Sequence, residues 1–147
     1  MRLSILLIVV TALSLSGCFE KGDCQNQTSN IVKVAFFNSS DQKVLKVQLD
    51  SVFIRGLEGK FIEDEELESI VIPLDPLSDE AVITLYRPEA TNTITIGYIA
   101  RTTVLDPACG ATDLYLLKKA SGEGISSATI TQEIVSVSLT TNVSVYF

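Results

Sequence analysis

Three thiols, Cys18, Cys24 and Cys109, are the groups in this 147-residue chain best equipped for covalent chemistry, and there is no His to activate them. That absence excludes Ser-His-Asp and Cys-His nucleophilic catalysis and every zinc site built on imidazole. The other reactive groups are carboxylates, with 18 Asp and Glu against 11 Lys and Arg. Paired acids can hydrolyse glycosides when set across a cleft, but nothing in the spacing pairs any two of them, and there is no Trp to stack a sugar. Glu63, Asp64, Glu65, Glu66 and Glu68 form the densest acidic run. Carboxylate oxygens at about 2.3 to 2.6 Å would suit calcium, yet the alternating Asp/Asn with a central Gly of an EF-hand is missing, so the run reads as a solvated connector. We assign no catalytic residue, no metal and no cofactor, and expect a protein that is not an enzyme. A net charge of −7 leaves nucleic acid little to hold, because phosphate neutralisation needs clustered bases.

The context of Cys18 gives its thiol a role. Met1 and Arg2 precede an apolar run over residues 3–15, then Ser16, Gly17 and Cys18. A positive start followed by a short apolar run is the pattern of a cleaved signal peptide, and the run is too short to span a bilayer, which takes about 20 helical residues. Leu15-Ser16-Gly17-Cys18 looks like a bacterial lipobox: small residues fit a peptidase cleft, and only a thiol can carry a thioether-linked lipid. Cleavage is expected between Gly17 and Cys18, with lipidation at Cys18. Several acyl chains on that residue would provide stable anchoring at about 0.8 kcal/mol per buried CH₂.

Lipid consumes one thiol and leaves an even pair. In an oxidising envelope the default for Cys24 and Cys109 is a disulfide, the alternative being two buried free thiols. Residues 19–23 would then be the whole tether, reaching roughly 20 Å at about 3.4 Å per residue. Such a short tether predicts the Cys109 loop near the bilayer, with the partner-binding surface at the opposite end or along an exposed edge strand. Residues 1–17 are thus read as signal peptide, 18–30 as lipid-anchored tether and 31–147 as the folded body.

That body lacks a helical period. Short runs rich in Val, Ile and Thr, bounded by Asn, Asp, Gly, Pro and Ser, predict an all-β fold: an antiparallel β-sandwich of about eight strands. The expected strands cover residues 31–38, 44–54, 69–74, 81–87, 91–104, 113–118, 133–140 and 142–147. Alternation places Val32, Val34 and Phe36 on one face, as it does Leu45, Val47, Leu49 and Phe53, and Ile94, Ile96, Tyr98 and Ala100. Residues 38–42 and 75–80 read as turns, the second closing a hairpin. Residues 63–68 and 121–127 are expected outside strands.

Asp50-Ser51-Val52 resembles a short bacterial O-glycosylation site, but Ser51 falls on the apolar side of its strand, which favours burial. The three Asn sequons, at Asn26, Asn38 and Asn142, match a eukaryotic signal that bacteria normally do not read. The four Tyr and six Phe are enough for a core.

Cys18 and Cys24 six residues apart, an early Val34-Ala-Phe-Phe-Asn38, a late Asp106-Pro-Ala-Cys109-Gly110 and a final Asn142-Val-Ser-Val-Tyr-Phe147 together resemble a family of uncharacterised small lipoproteins of Bacteroidetes. The resemblance implies an anchored β-rich domain and transfers no activity, substrate or catalytic residue. Two functions are carried forward. One is a non-enzymatic envelope module that binds a protein partner or serves envelope assembly; the other is a small ligand- or glycan-binding lipoprotein, which would need a concave aromatic site. Phe19, where Asp commonly retains lipoproteins at the inner membrane, favours the outer membrane by analogy.

Overall fold

Val32, Val34 and Phe36 are fully buried and mark the inward face of the first strand, β1 (Ile31–Phe37). A computed structural model describes residues 29–106 and 110–147. Within them follow β2 (Val47–Ile54), β3 (Ile62–Leu67), β4 (Ser69–Pro73), β5 (Glu80–Arg87), β6 (Ala90–Asp106), β7 (Gly110–Glu123), β8 (Ser127–Ile130) and β9 (Val143–Tyr146). The protein is all-β. A four-stranded sheet, β4-β1-β9-β8, faces a five-stranded sheet, β3-β2-β5-β6-β7, as a β-sandwich. Every neighbouring pair is antiparallel except β1 and β9, which run parallel at the centre of the smaller sheet.

One core joins the layers. Ile70 and Ile72 of β4, Val143 and Val145 of β9, Ile83 and Leu85 of β5, Ile94 and Ile96 of β6 and Leu117 of β7 all lie in it. The period of two that put these residues on inward faces is the feature the sequence displayed best, because a half-buried strand must alternate. Asn142, only 3% exposed, locks the smaller sheet: its Oδ1 accepts from the Lys33 amide at 3.1 Å while its own amide donates to the Lys33 carbonyl at 2.9 Å.

Several expectations need correction. Residues 63–68 are not a connector: most of that acidic run is β3, paired antiparallel with β2 from Val47↔Leu67 to Val52↔Ile62. Carboxylates weaken strand propensity but are tolerated on an edge, where they block pairing with another chain. Residues 121–127 are largely strand as well, since β7 runs to Glu123 and Ser127 opens β8. Conversely, 133–140 is no strand. It touches β7 through isolated bridging, Leu116↔Ile134, flanked by the Leu117 amide to the Glu133 carbonyl (2.8 Å) and the Val135 amide to the Tyr115 carbonyl (3.1 Å).

Nor do residues 75–80 close a hairpin. β4 and β5 lie in different sheets, so the segment carries the chain across the sandwich. Phe53 was expected inward and points outward: Val47 and Leu49 are buried, then Val52 and Ile54, so the inward phase slips by one residue. At that slip Asp64, the register partner position of Asp50, has φ +49°, a left-handed conformation Asp tolerates better than most residues.

Candidate functional site

The slip in β2 brings Phe53 to the outer face of the five-stranded sheet, where the ordinary alternation of β5 already places Tyr86. They are 37% and 42% exposed, and their rings meet edge-to-face with centroids 5.6 Å apart. Such a pair contributes about 0.5 to 1.5 kcal/mol beyond its area, so it is held in place rather than free to collapse. Residues directly opposite in adjacent strands share a face. The row through Phe53 continues Thr84, Thr93, Glu123; the row through Tyr86 continues Thr91; the next holds Val82, Thr95 and Ser121. The sheet thus offers an aromatic pair beside a field of hydroxyls. A shallow concavity of about 470 Å³ lies on this face, bordered by Arg55, Val82, Thr93, Thr95, Ser121 and Glu123.

Hydroxyls on a paired strand keep their hydrogen-bonding capacity for an incoming group, since the ladder already satisfies the backbone. Arg55 is partly committed: its Nη1 donates to Glu80 Oε1 at 2.9 Å, an exposed pair that contributes little to stability. What this face can do is bind. Among the described residues no group of three or more acids or thiols is placed to hold a metal ion, and the β3 acids are strung along an edge.

A second feature is the end of the sandwich where the 55–61 and 74–79 connections meet. A cleft of about 560 Å³ lies between them, with Leu57 on one side, Leu74 and Asp75 on the other and Tyr98 in its wall. The Tyr98 hydroxyl donates to the Asp75 carbonyl at 2.8 Å and accepts from the Asp75 amide at 3.2 Å. Burial raises the Tyr98 phenol above its ordinary value of 10, only partly offset by hydrogen bonding with the Ser78 side chain and the Asp75 backbone, and burial with the Asp113 carboxylate raises Tyr115 likewise. Both therefore stay neutral in ordinary conditions and act as packing and tethering groups. Aliphatic side chains, acids and the Arg55–Glu80 pair line this cleft more than aromatics do, which is not the Tyr- and Phe-walled pocket sought for a ligand.

Gly17, Cys18, Cys24 and Cys109 lie outside the described residues. Ser51 is buried, 8% exposed, as expected, but not on the apolar side: the slip turns it to the outer face, opposite Glu63 and Tyr86, so a glycan there would have to displace packed neighbours. The outward aromatic pair was missed by sequence reasoning. The available signal was weak: Phe53 lies between Val52 and Ile54, with polar Ser51 and Arg55 only two residues away, and strict alternation from Val47 sends Phe53 inward.

No family model matches the chain, and neither a curated protein nor a solved structure matches it. Among the described residues no helix is long and apolar enough to cross a membrane.

Proposed function

We propose that this chain is a lipid-anchored module of the bacterial cell envelope, held at the outer membrane through Cys18, that binds a protein partner and catalyses no reaction. The lipobox at residues 15–18 supports the anchor. A bond between Cys24 and Cys109 would pin the tether to the body. The observation that carries the binding reading is the exposed Phe53–Tyr86 pair, ordered against itself on a sheet face without charged residues at its centre. Aromatics at a site depleted of charge are what the centre of a protein interface selects. The surface lies on a face, not on the end or edge strand that tether geometry suggested.

The test is affinity purification of the lipidated protein from native membranes, comparing parent with a Phe53→Ala/Tyr86→Ala double variant. A protein that co-purifies with the parent and falls at least about tenfold with the variant is expected, since two central aromatics are worth about 1.4 kcal/mol or more. Equal recovery with both would overturn this assignment of the surface. A second reading, glycan binding, is favoured by one feature: Thr93, Thr95, Ser121 and Glu123 gathered around the 470 Å³ concavity. Saturable binding of an envelope oligosaccharide, lost in Thr93→Val/Thr95→Val, would select it.

A further inference from the structure

Exposed apolar side chains on this molecule are segregated. Leu57 and Phe61 lie in the connection after β2, Leu77 in the connection after β4, Val104 on the β6–β7 arm, and Val137 and Leu139 after β8. All belong to segments at the end of the sandwich where β1 begins. Toward the other end the exposed large side chains among the described residues are Val44 and Tyr86, the latter on the outer sheet face against Phe53. Scattered exposed hydrophobes need no explanation, but gathering them at one end does.

Leu77 is the extreme case, 94% exposed, and it is displayed by an ordered turn. Its amide donates to Asp75 Oδ1 at 2.9 Å, the Ser78 amide donates to the Asp75 carbonyl at 3.2 Å, and Tyr98 clasps Asp75 from below. A side chain held out this way loses little further entropy when it is buried by something else. The polypeptide enters the body at this same end, where the Leu74 amide donates to the Asn30 carbonyl at 2.6 Å. Cys18 precedes Ser29 by 11 residues, a contour of at most about 40 Å.

We infer that this end is a lipid-contact surface, seated in the headgroup region of the bilayer with Leu77 and Leu57 reaching the acyl boundary. The inference rests on the anchor reading above, because a lipid on Cys18 draws this end of the body toward the membrane. The electrostatics specify the lipid. Asp75 and Asp79 flank Leu77, while Glu80 and Glu63 are paired with Arg55 and Lys60, so among the described residues these loops present acids and paired bases, which suits zwitterionic rather than anionic headgroups. Two apolar loop tips add depth and orientation to an anchor that lipid alone would leave free to swivel.

The chain has no Trp, so a single introduced indole reports its own surroundings. Full-length Leu77→Trp and Val44→Trp, expressed with lipidation and purified from membranes, are reconstituted into phosphatidylcholine vesicles with brominated acyl chains. Both sites are exposed, and a thermal melt matching the parent verifies the fold. Vesicle flotation reads the anchor; quenching reads orientation. Flotation of both, with Leu77→Trp fluorescence blue-shifted and quenched about twofold and Val44→Trp unquenched, is the expected result. Flotation with neither indole quenched, or both quenched equally, overturns the lipid-contact surface and leaves the anchor standing. Failure of either protein to float overturns the anchor, and the inference with it. Protection of Leu77→Trp only when a membrane protein is added would reassign the surface to that protein and overturn the lipid reading.

Discussion

Tyr98 holds Asp75 by both of its backbone groups, donating to the carbonyl at 2.8 Å and accepting from the amide at 3.2 Å. A side chain of the larger sheet thereby ties down the segment that crosses from the smaller one, and with it the turn that displays Leu77. Tyr98→Phe removes both contacts while keeping the ring. We expect a loss of about 1 to 3 kcal/mol, the cost of leaving the part-buried Asp75 amide unpaired while its carbonyl keeps the Ser78 amide, read as a lower urea midpoint at unchanged slope.

The same tyrosine predicts an alkaline limb. Its folded pKa is raised above the unfolded value of 10, so the native state holds the phenol proton more tightly. The associated stability is fully present below about pH 10 and is lost as pH rises through the folded value. Tyr115 shifts in the same direction. Urea midpoints at pH 7 and 11 should therefore fall for the parent, and fall less for Tyr98→Phe.

Gly124 should be far less replaceable than Gly59. Both have positive φ, +72° and +84°, so alanine at either costs about 1 to 2 kcal/mol in backbone strain. A Cβ at Gly59 meets nothing within 4 Å, whereas at Gly124 it meets Asn92 Nδ2 at 2.5 Å and the Thr91 carbonyl at 3.2 Å. It would also break the hydrogen bond from Asn92 to the Gly124 carbonyl. Thermal melts of the two alanine variants should show the larger drop for Gly124→Ala; equal drops would contradict the clash.

β3 should protect its own edge. Its register sets Glu65 opposite Leu49, on the core side of the sheet, yet exposed at the rim. A charge in that place makes edge-to-edge pairing costly. Replacing Glu63, Glu65 and Glu66 with Thr should leave the monomer folded and raise self-association, measurable by sedimentation velocity as a concentration-dependent increase in sedimentation coefficient.

Asn142→Ala tests the junction of β1 and β9. It removes a buried acceptor for the Lys33 amide while leaving the reciprocal backbone bond. About 1 to 3 kcal/mol should be lost, and hydrogen exchange at Lys33 should accelerate more than at Val82 in the other sheet.

Much of the architecture was legible along the chain, for reasons that particular residues make clear. Val32, Val34 and Phe36, or Ile94, Ile96 and Tyr98, alternate because one face of each strand meets the core. The turn at 38–42 was written in its composition, and the Asn38 side chain does accept from the Ser40 amide. The acidic β3 and the pseudo-strand 133–140 went the other way. An edge strand is recruited by its neighbour despite poor propensity, and Val135, Val137 and Leu139 alternate in a segment that makes isolated bridges and no ladder.

The sequence by itself determined the class of the fold, the inward set of most strands, the exclusion of imidazole chemistry and the lipobox pattern, because each follows from residue type or from contacts between near neighbours. Tertiary structure decided which strands share a sheet, that β1 and β9 run parallel across most of the chain's length, that Phe53 turns outward beside Tyr86, and that exposed apolar residues from distant loops gather at one end. Those are relations between segments far apart in sequence. A period of two says which side of a strand is apolar, and carries no information about which other strand will cover it.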